Sequence, residues 1–561
     1  MNTISKKYPF WSIYYEDEGF NITGDRIMGR QAAGWSYLNA HIKHYDHLSV
    51  YLKYIEHKDM LISRIKPILN ESKKTLDLKS ISYTSPHLSE EYGGIFYPGP
   101  GISEFATHRS YYGHDKYSLI GITHTTASER VMQSIAKLPF SNIMPWDSII
   151  CTSECVYDTV NKIIDHEIDK ISSKISVKDI ILPKLPIIPL GVDKNEFDYN
   201  EENRKQSRTN LGIKDNDIVL SYVGRLSFHA KAHHLPMYLA IESCAQQLKK
   251  DQKIHIIQTG WFANDFVKNA FIEEGKKVCP SIEFHFLDGK DQNNKHLTLS
   301  SADIFISLSD NIQETFGITP LEGMAAGLPV LVSDWNGYKY TVRDGIDGYR
   351  VKTYSLGKGY GTDIAHKHMM TSIDYDNYIG MSVQRIAVDV KDCINKLSDL
   401  ITSKEKRLEF GKNAKKHIND NYDWPIILRQ YEELSEELNQ IRLKESKKYK
   451  EFCKPCLPSE NLDPFYIFAS YPSEIIKSDY TYYKTEMINK YSIKDVLAFN
   501  SINYANHYLP SELELKSVYY AFDKNGKKLS DVMKETNFDE EIVLKCCVWL
   551  LKYGYLTSIG D

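Results

Sequence analysis

Two glutamates, Glu314 and Glu322, stand in the stretch QETFGITPLEGMAAGLPVLVSD (313–334). The strand-like run ADIFISLS (302–309) precedes it, so Glu314 falls in a loop and Glu322 in the first turn of a helix opening at about Pro320. Backbone N–H groups around Thr315–Gly317, at a helix N-terminus, suit hydroxyls or a phosphate. Gly317 lets the backbone come close to a ligand. Gly323, Ala325, Ala326 and Gly327 allow the helix to pack tightly, and Gly327 with Pro329 ends it before the next strand. A glutamate pair at this spacing ordinarily marks a solvated helix face. The flanking glycines, and the basic pair Arg225 and Lys231 in SYVGRLSFHAKAHH (221–234), favour two carboxylates gripping separate parts of one ligand.

The elements that position these residues come in two similar series. Up to about residue 195, short apolar runs alternate with helical patterns: WSIYY (11–15), LSVYL (48–52), SLIGITH (118–124), DSIICTS (147–153) and KLPIIPLGVD (184–193). From 196 to 425 the rhythm restarts with DIVLSYVGR (217–225), KIHIIQTG (253–260), IEFHFLDG (282–289), ADIFISLS and LPVLVSD (328–334). Continuous Val/Ile/Leu-rich strands separated by helices predict parallel sheets covered on both faces. Two such series predict two Rossmann-like domains with a ligand cleft between them. A helix over 421–443, with apolar Ile427, Leu428, Tyr431, Leu434 and Leu438 on one face, closes this part, and the charged run 444–455 reads as a solvated linker.

Bulk properties exclude several classes. A chain of 561 residues needs more than one core. Its net charge of -5 offers no general attraction to nucleic acid. No apolar run reaches the roughly 20 residues of a membrane span, and the N-terminus lacks a signal-peptide pattern. Nine scattered cysteines do not form a disulfide framework and fit a reducing cytoplasm, and Cys453-Lys-Pro-Cys456 has no second pair to complete a zinc site.

Taken together, Glu314-x7-Glu322, the GR–x–K-like segment 221–234, PLGVDKNEF (189–197), WNGYKYTVRDGIDGYRV (335–351) and NYDWPIILRQYEEL resemble retaining GT-B glycosyltransferases, above all glycosyltransferase family four. The likeness covers about 110–440 and is strongest from 217 to 351. It implies that Arg225 and Lys231 hold the donor diphosphate and stabilise the leaving group. By the same resemblance Glu322 takes the ribose hydroxyls, and Glu314 lies by the transferred sugar. The amides of Phe316, Gly317 and Ile318 grip sugar or phosphate, and Thr259 with Gly260 supplies a small loop. In the first domain His124 of GITHTTAS is implied near the sugar. The stretch MGRQAAGWSYL (28–38), with Gly29 and Gly34, resembles the loop that faces donor phosphate and acceptor. The chain departs from the family at Ala232, where a glycine is usual, in lacking a double glycine near Gly29, and at Asn336-Gly337-Tyr338-Lys339 in place of Gly-Gly-x-x-Glu.

Other candidates read as structural. His108 and His114 are expected at the surface, and His233 and His234 at the periphery. Asp215-Asn-Asp217 and Asp374-Tyr-Asp376 mimic a metal-binding DxD but read as turn chemistry away from the cleft. Residues 456–561 predict a small helical, winged-helix-like domain, with Leu529, Val532, Met533, Ile542, Leu544, Val548, Leu550 and Leu551 as its apolar positions. Residues 457–561 hold 11 Lys and no Arg against 15 Asp plus Glu, so this zone reads as a protein-contact, oligomerisation or acceptor-positioning module rather than a nucleic-acid binder.

The expectation is therefore a cytoplasmic, metal- and cofactor-independent hexosyltransferase. Its donor would be UDP- or GDP-linked and its acceptor a glycan, glycolipid or protein, in bacterial surface-glycan or glycoconjugate assembly. Peripheral contact with the inner face of a membrane is compatible with this reading. Phosphorylase or nucleotide-sugar epimerase chemistry, and a non-catalytic carbohydrate- or partner-binding scaffold, are the alternatives.

Overall fold

The computed structural model describes residues 11–22, 29–176, 179–248, 251–451 and 453–559. Residues 1–10, part of the N-terminal stretch in which no signal-peptide pattern was found, and Met28 of the first glycine-containing stretch lie outside the described residues. The chain divides into two compact units, 1–457 and 458–561.

In the first unit, β1 (Ser12–Tyr15), β2 (His47–Leu52), β3 (Asp77–Ser82), β4 (Gly94–Tyr97), β5 (Ser118–Ile122) and β6 (Ser148–Ile150) form one sheet. β7 (Ile218–Val223), β8 (Ile254–Gly260), β9 (Glu283–Asp288), β10 (Ile304–Ser307), β11 (Val330–Ser333) and β12 (Gly348–Val351) form a second. The orders are β3-β2-β1-β4-β5-β6 and β12-β11-β10-β7-β8-β9, and every pairing is parallel. Counted from its own first strand, each sheet has the doubly wound Rossmann order, so two Rossmann-like domains make a GT-B architecture. The strand order reverses between β1 and β4 and between β7 and β10, and ligands bind beyond the strand C-termini at such points.

Strand burial explains which strands the sequence reveals. β5, β7 and β10 are buried along their whole length and read as unbroken apolar runs. β3 is a largely exposed edge strand of polar composition, and β4 and β12 open with glycine, so none of the three stands out. The predicted strand at 184–193 does not form. That stretch makes only isolated bridges, Ser148 to Lys184 and Cys151 to Ile187 along the edge at β6 and Val192 to Asp423 ahead of the closing helix.

The helix Trp424–Glu445 buries Ile427, Leu428, Tyr431, Leu434 and Leu438 and packs against the helix Gly29–His44 of the first domain. Trp424 donates from Nε1 to Ser36 Oγ at 2.9 Å, and Tyr431 meets Trp11 with ring centroids 5.8 Å apart. Residues 444–455 are not a solvated linker: Cys453 is buried with Met144 and Trp146, and Tyr449 packs edge-on to Trp146. Small apolar groups inside the charged run hold it to the surface.

The second unit has a three-stranded antiparallel sheet, with Thr481–Lys484 between Lys527–Lys528 and Leu556–Thr557. The helices Glu512–Ala521, Leu529–Thr536 and Glu540–Lys552 cover it. In the last helix Val543, Cys546, Cys547 and Leu550 face the core, whereas Val548 is half exposed. The expected apolar face is therefore turned, because the two cysteines act as small hydrophobes. Among the described residues no helix is long and apolar enough to cross a membrane.

Candidate functional site

The site residues gather where β7 and β10 part. Gly224 leaves β7 with φ +146°, a backbone setting open to glycine, and turns the chain into the loop carrying Arg225 and Lys231. This loop is stitched to the one after β10. Asn311 Nδ2 donates to His229 O at 2.6 Å, Ser309 Oγ to Lys231 O at 3.0 Å, and the His233 amide to Asp310 Oδ1 at 3.2 Å. The stitching brings the Lys231 ammonium onto the Glu314 carboxylate in a direct ion pair. Arg225 donates to Ala230 O at 3.0 Å and Gln313 Oε1 at 3.4 Å, with its guanidinium 5.8 Å from the Trp261 ring centroid. Two cations thus share one switch point with a carboxylate in contact with one of them.

The loop from Glu314 leads into the helix Ile318–Ala325, with Gly317 at its N-cap and φ +82°. A Cβ on Gly317 would stand 1.9 Å from Tyr338 Cε1, so the Tyr338 ring occupies the space any side chain there would need. Tyr338 is wholly buried and its hydroxyl bonds to Ser307 Oγ at 3.0 Å. Phe316 is buried, while Ile318 and Thr319 are partly exposed at the helix start, where first-turn amides have no partner within the helix. The Asn336 amide donates to Glu314 O, and a Cβ on Gly337 would lie 2.5 Å from Phe316 Cα. The departure at 336–339 is therefore the support beneath the loop.

Glu322 is buried in the same helix. Its Oε1 accepts from Lys295 Nζ at 3.1 Å, and its Oε2 is buried with no partner among the described residues. Burial pushes this carboxyl up and Lys295 pulls it back only partly. An orphaned acceptor on a lysine-held carboxylate is what a pair of hydroxyl donors would satisfy.

The first domain touches this loop. Thr315 Oγ1 donates to His124 O at 3.0 Å and Ser153 Oγ to Thr315 O at 3.0 Å, so the C-terminal ends of both sheets meet there. His124 is half-buried, its Nε2 has no partner among the described residues, and burial with the nearby Arg30 cation pulls it down to about 4. It is a neutral imidazole at pH 7.

Other sequence-predicted residues have different settings. Gly29 begins the helix Gly29–His44 rather than a loop, and Gly34 lies within it, where a Cβ would come 2.8 Å from Gly19 O. Residues 29–38, expected as a phosphate-facing loop, are helix, and Gly34 serves packing. Gly260 lets two strand ends approach, since a Cβ there would meet Gly224 O at 1.9 Å. The Thr259 hydroxyl is buried and shares a hydrogen bond with that of Thr298. His114 is buried rather than on the surface. His234 is buried too, paired with Glu274 at 2.7 Å.

The two DxD look-alikes separate. Asp217 accepts from the amides of Lys214 and Lys253 at 3.1 and 2.9 Å, which is turn chemistry. Asp374 caps the helix Tyr375–Val383, which packs on the loop after β7, where a Cβ on Gly380 would stand 3.3 Å from His229 Cβ, so this segment borders the site. Among the described residues no three His, Cys, Asp or Glu side chains converge as a metal-ligand set. Sequence reasoning gave no site role to Lys295, Gln313, Trp261 or Tyr338, and only the packing of separate loops brings each of them in.

Residues 203–357 match the family described as Glycosyl transferases group 1. The alpha-monoglucosyldiacylglycerol synthase of Streptococcus pneumoniae (strain ATCC BAA-255 / R6) is 27% identical over 33% of this chain and 37% of its own. Spore coat protein SA of Bacillus subtilis (strain 168) is 24% identical over 40% of this chain and 50% of its own. The chain thus spans half or less of these curated relatives. A crystal structure of Anabaena HepE in complex with UDP and glucose aligns with a TM-score of 0.47 at 15% identity, covering 76% of this chain and 98% of that one. The matched segment carries β7 to β12, the cations and both glutamates.

Proposed function

We propose that this chain transfers a hexosyl unit from a nucleotide diphosphate sugar to an acceptor hydroxyl, with retention at the anomeric carbon. The observation that carries the reading is the pairing at the β7/β10 switch point: Lys231 on Glu314, Arg225 beside them, and Glu322 held by Lys295 with one oxygen unsatisfied. Lys231 and Arg225 would bind the diphosphate and stabilise the charge that grows on it as the glycosidic bond breaks. A diphosphate oxygen competes with Glu314 for Lys231, and this would turn the Glu314 carboxylate toward the sugar hydroxyls. Glu322 would accept from the ribose. Both glutamates are engaged by lysines, which supports departure and attack on one face of the sugar rather than a protein nucleophile on the other. Neutral His124 can accept a hydroxyl proton through Nε2.

With two cations on the diphosphate, no metal or other cofactor is required in this mechanism. The names of the matched relatives, a glycolipid synthase among them, support a bacterial glycan or glycolipid acceptor and a cytoplasmic site of action at or near the membrane. The second unit would hold a protein partner or position the acceptor.

The test is a thermal-shift screen with UDP, GDP, ADP and their sugars, followed by transfer of radiolabelled sugar from the stabilising donor to bacterial membrane extract. Stabilisation and label transfer that vanish in Arg225→Ala are expected. Phosphate-dependent glycan cleavage or an epimerised nucleotide sugar in place of transfer would overturn the proposal.

A further inference from the structure

The stretch that leads from the first domain into the second holds a short turn, Lys194–Phe197, tied to the helices around it. Asp193 caps the turn by accepting from the Asn195 amide at 3.0 Å, and it also pairs with Lys43 of the helix Gly29–His44 at 2.7 Å. Lys194 reaches Asp423, at the start of the closing helix, at 2.9 Å, and Lys415 pairs with Asp198 at 2.6 Å. Exposed pairs of this kind are each weak. The stronger anchor is Phe197, which is 2% exposed and belongs to the main apolar core.

Phe197 meets the Lys295–Glu322 pair. Its ring centroid lies 5.1 Å from Lys295 Nζ, and the same ammonium donates to Glu322 Oε1 at 3.1 Å. Lys295 belongs to the helix Gln292–Ser301. The next residue on that helix, His296, lies near-parallel to the Phe197 ring with centroids 6.1 Å apart, and its Nδ1 shares a hydrogen bond with the Tyr199 hydroxyl at 2.7 Å. The joining stretch therefore grips this helix at Lys295 and His296 together. The face of an aromatic ring attracts an ammonium without offering it a lone pair, so the ring steadies Lys295 and leaves its hydrogen bond to Glu322 intact. A lysine stem is long and rotates freely, and a second partner keeps its head on the carboxylate rather than in water.

We propose that Phe197 is a positioning residue for the nucleotide: its ring holds Lys295 on Glu322, and through that pair the stretch joining the two domains sets the grip on the donor's ribose. This inference rests on the nucleotide-sugar reading of the same site. Without the ring, Lys295 turns toward solvent and the buried Glu322 carboxyl loses its counter-charge. A buried carboxyl with no cation beside it favours its neutral form, and a neutral acceptor makes the weaker bond to a hydroxyl. The loss falls on the nucleoside end of the ligand. Inorganic pyrophosphate has no ribose, so its affinity reports the Arg225 and Lys231 end alone.

The experiment titrates UDP, GDP, ADP and inorganic pyrophosphate by calorimetry into the full chain, into Phe197→Leu, into Lys295→Met and into the two changes combined. For the nucleotide that binds, Phe197→Leu is expected to weaken affinity by about threefold to tenfold, with pyrophosphate held within about twofold. In the Lys295→Met background, Phe197→Leu should add less than about twofold, because the contact it removes is already gone. Circular dichroism checks folding. Phe197→Met, whose flexible side chain fills the same space, takes the place of Phe197→Leu if that variant does not fold. Unchanged nucleotide affinity, equal weakening of pyrophosphate, or the full loss persisting beside Lys295→Met overturns the inference alone. If the unmodified chain binds none of the three nucleotides, the nucleotide-sugar reading falls and takes the inference with it.

Discussion

Glu322→Gln separates the nucleoside grip from the phosphate grip. Glu322 Oε1 holds Lys295 at 3.1 Å, its side chain is 11% exposed and that of Lys295 18%, and Oε2 has no partner among the described residues. The substitution keeps volume and one acceptor but removes the charge. Hydrogen bonds to a charged acceptor are worth about 1.5–3 kcal/mol and neutral ones about 0.5–1.5. Two ribose hydroxyls should therefore lose about 1.5–3 kcal/mol together, roughly tenfold to 100-fold in Kd. Lys295 also loses its counter-charge. Breaking a fully buried pair costs about 3–5 kcal/mol, and the remaining exposure of Lys295 places the stability loss nearer 2 kcal/mol. The assay is calorimetric titration of the stabilising nucleoside diphosphate and of inorganic pyrophosphate at one salt concentration. Pyrophosphate has no ribose and reaches only Arg225 and Lys231, so its affinity should stay within about threefold while the nucleotide weakens. Equal weakening of both ligands, or an unchanged nucleotide affinity, would refute the assignment of Glu322 to the ribose.

Lys231→Ala and Glu314→Ala should each reduce transfer by about 100-fold or more with the fold retained, as measured by initial rates and circular dichroism. Gly317→Ala forces a Cβ into the Tyr338 ring at a φ of +82°, and a loss of about 2–4 kcal/mol in denaturant unfolding is expected. Burial raises the Asp310 carboxyl to about 7, so its contribution to stability is complete below its ordinary range and is lost as pH rises through 7. Asp310→Asn should accordingly gain roughly 2 kcal/mol relative to the unmodified chain between pH 5 and pH 8, by urea unfolding at each pH. Transfer should survive excess EDTA at full rate, and a rate restored only by added divalent cation would contradict the two-cation mechanism.

What the sequence by itself determined was local. Unbroken apolar runs such as those of β5, β7 and β10 declare strands buried on both faces, and their repetition declares two doubly wound domains. Gly317 and Gly337 mark backbone that approaches other atoms too closely for a side chain and Gly224 a positive φ, so the loops holding Arg225 and Glu314 were legible as loops. The five apolar residues of the closing helix were legible from a period of 3.6. β3 and β4 were not, because an exposed edge strand and a short strand opening on glycine have no run to display. The tertiary structure alone decided the partners. Lys231 and Glu314 are 83 positions apart, Lys295 and Glu322 are 27 apart, and the helix Tyr375–Val383 meets His229 of the cation loop at Gly380. Periodicity reports how a residue faces its own element. Which charge it meets across a switch point depends on how loops from separate strands pack, and no local spacing encodes that.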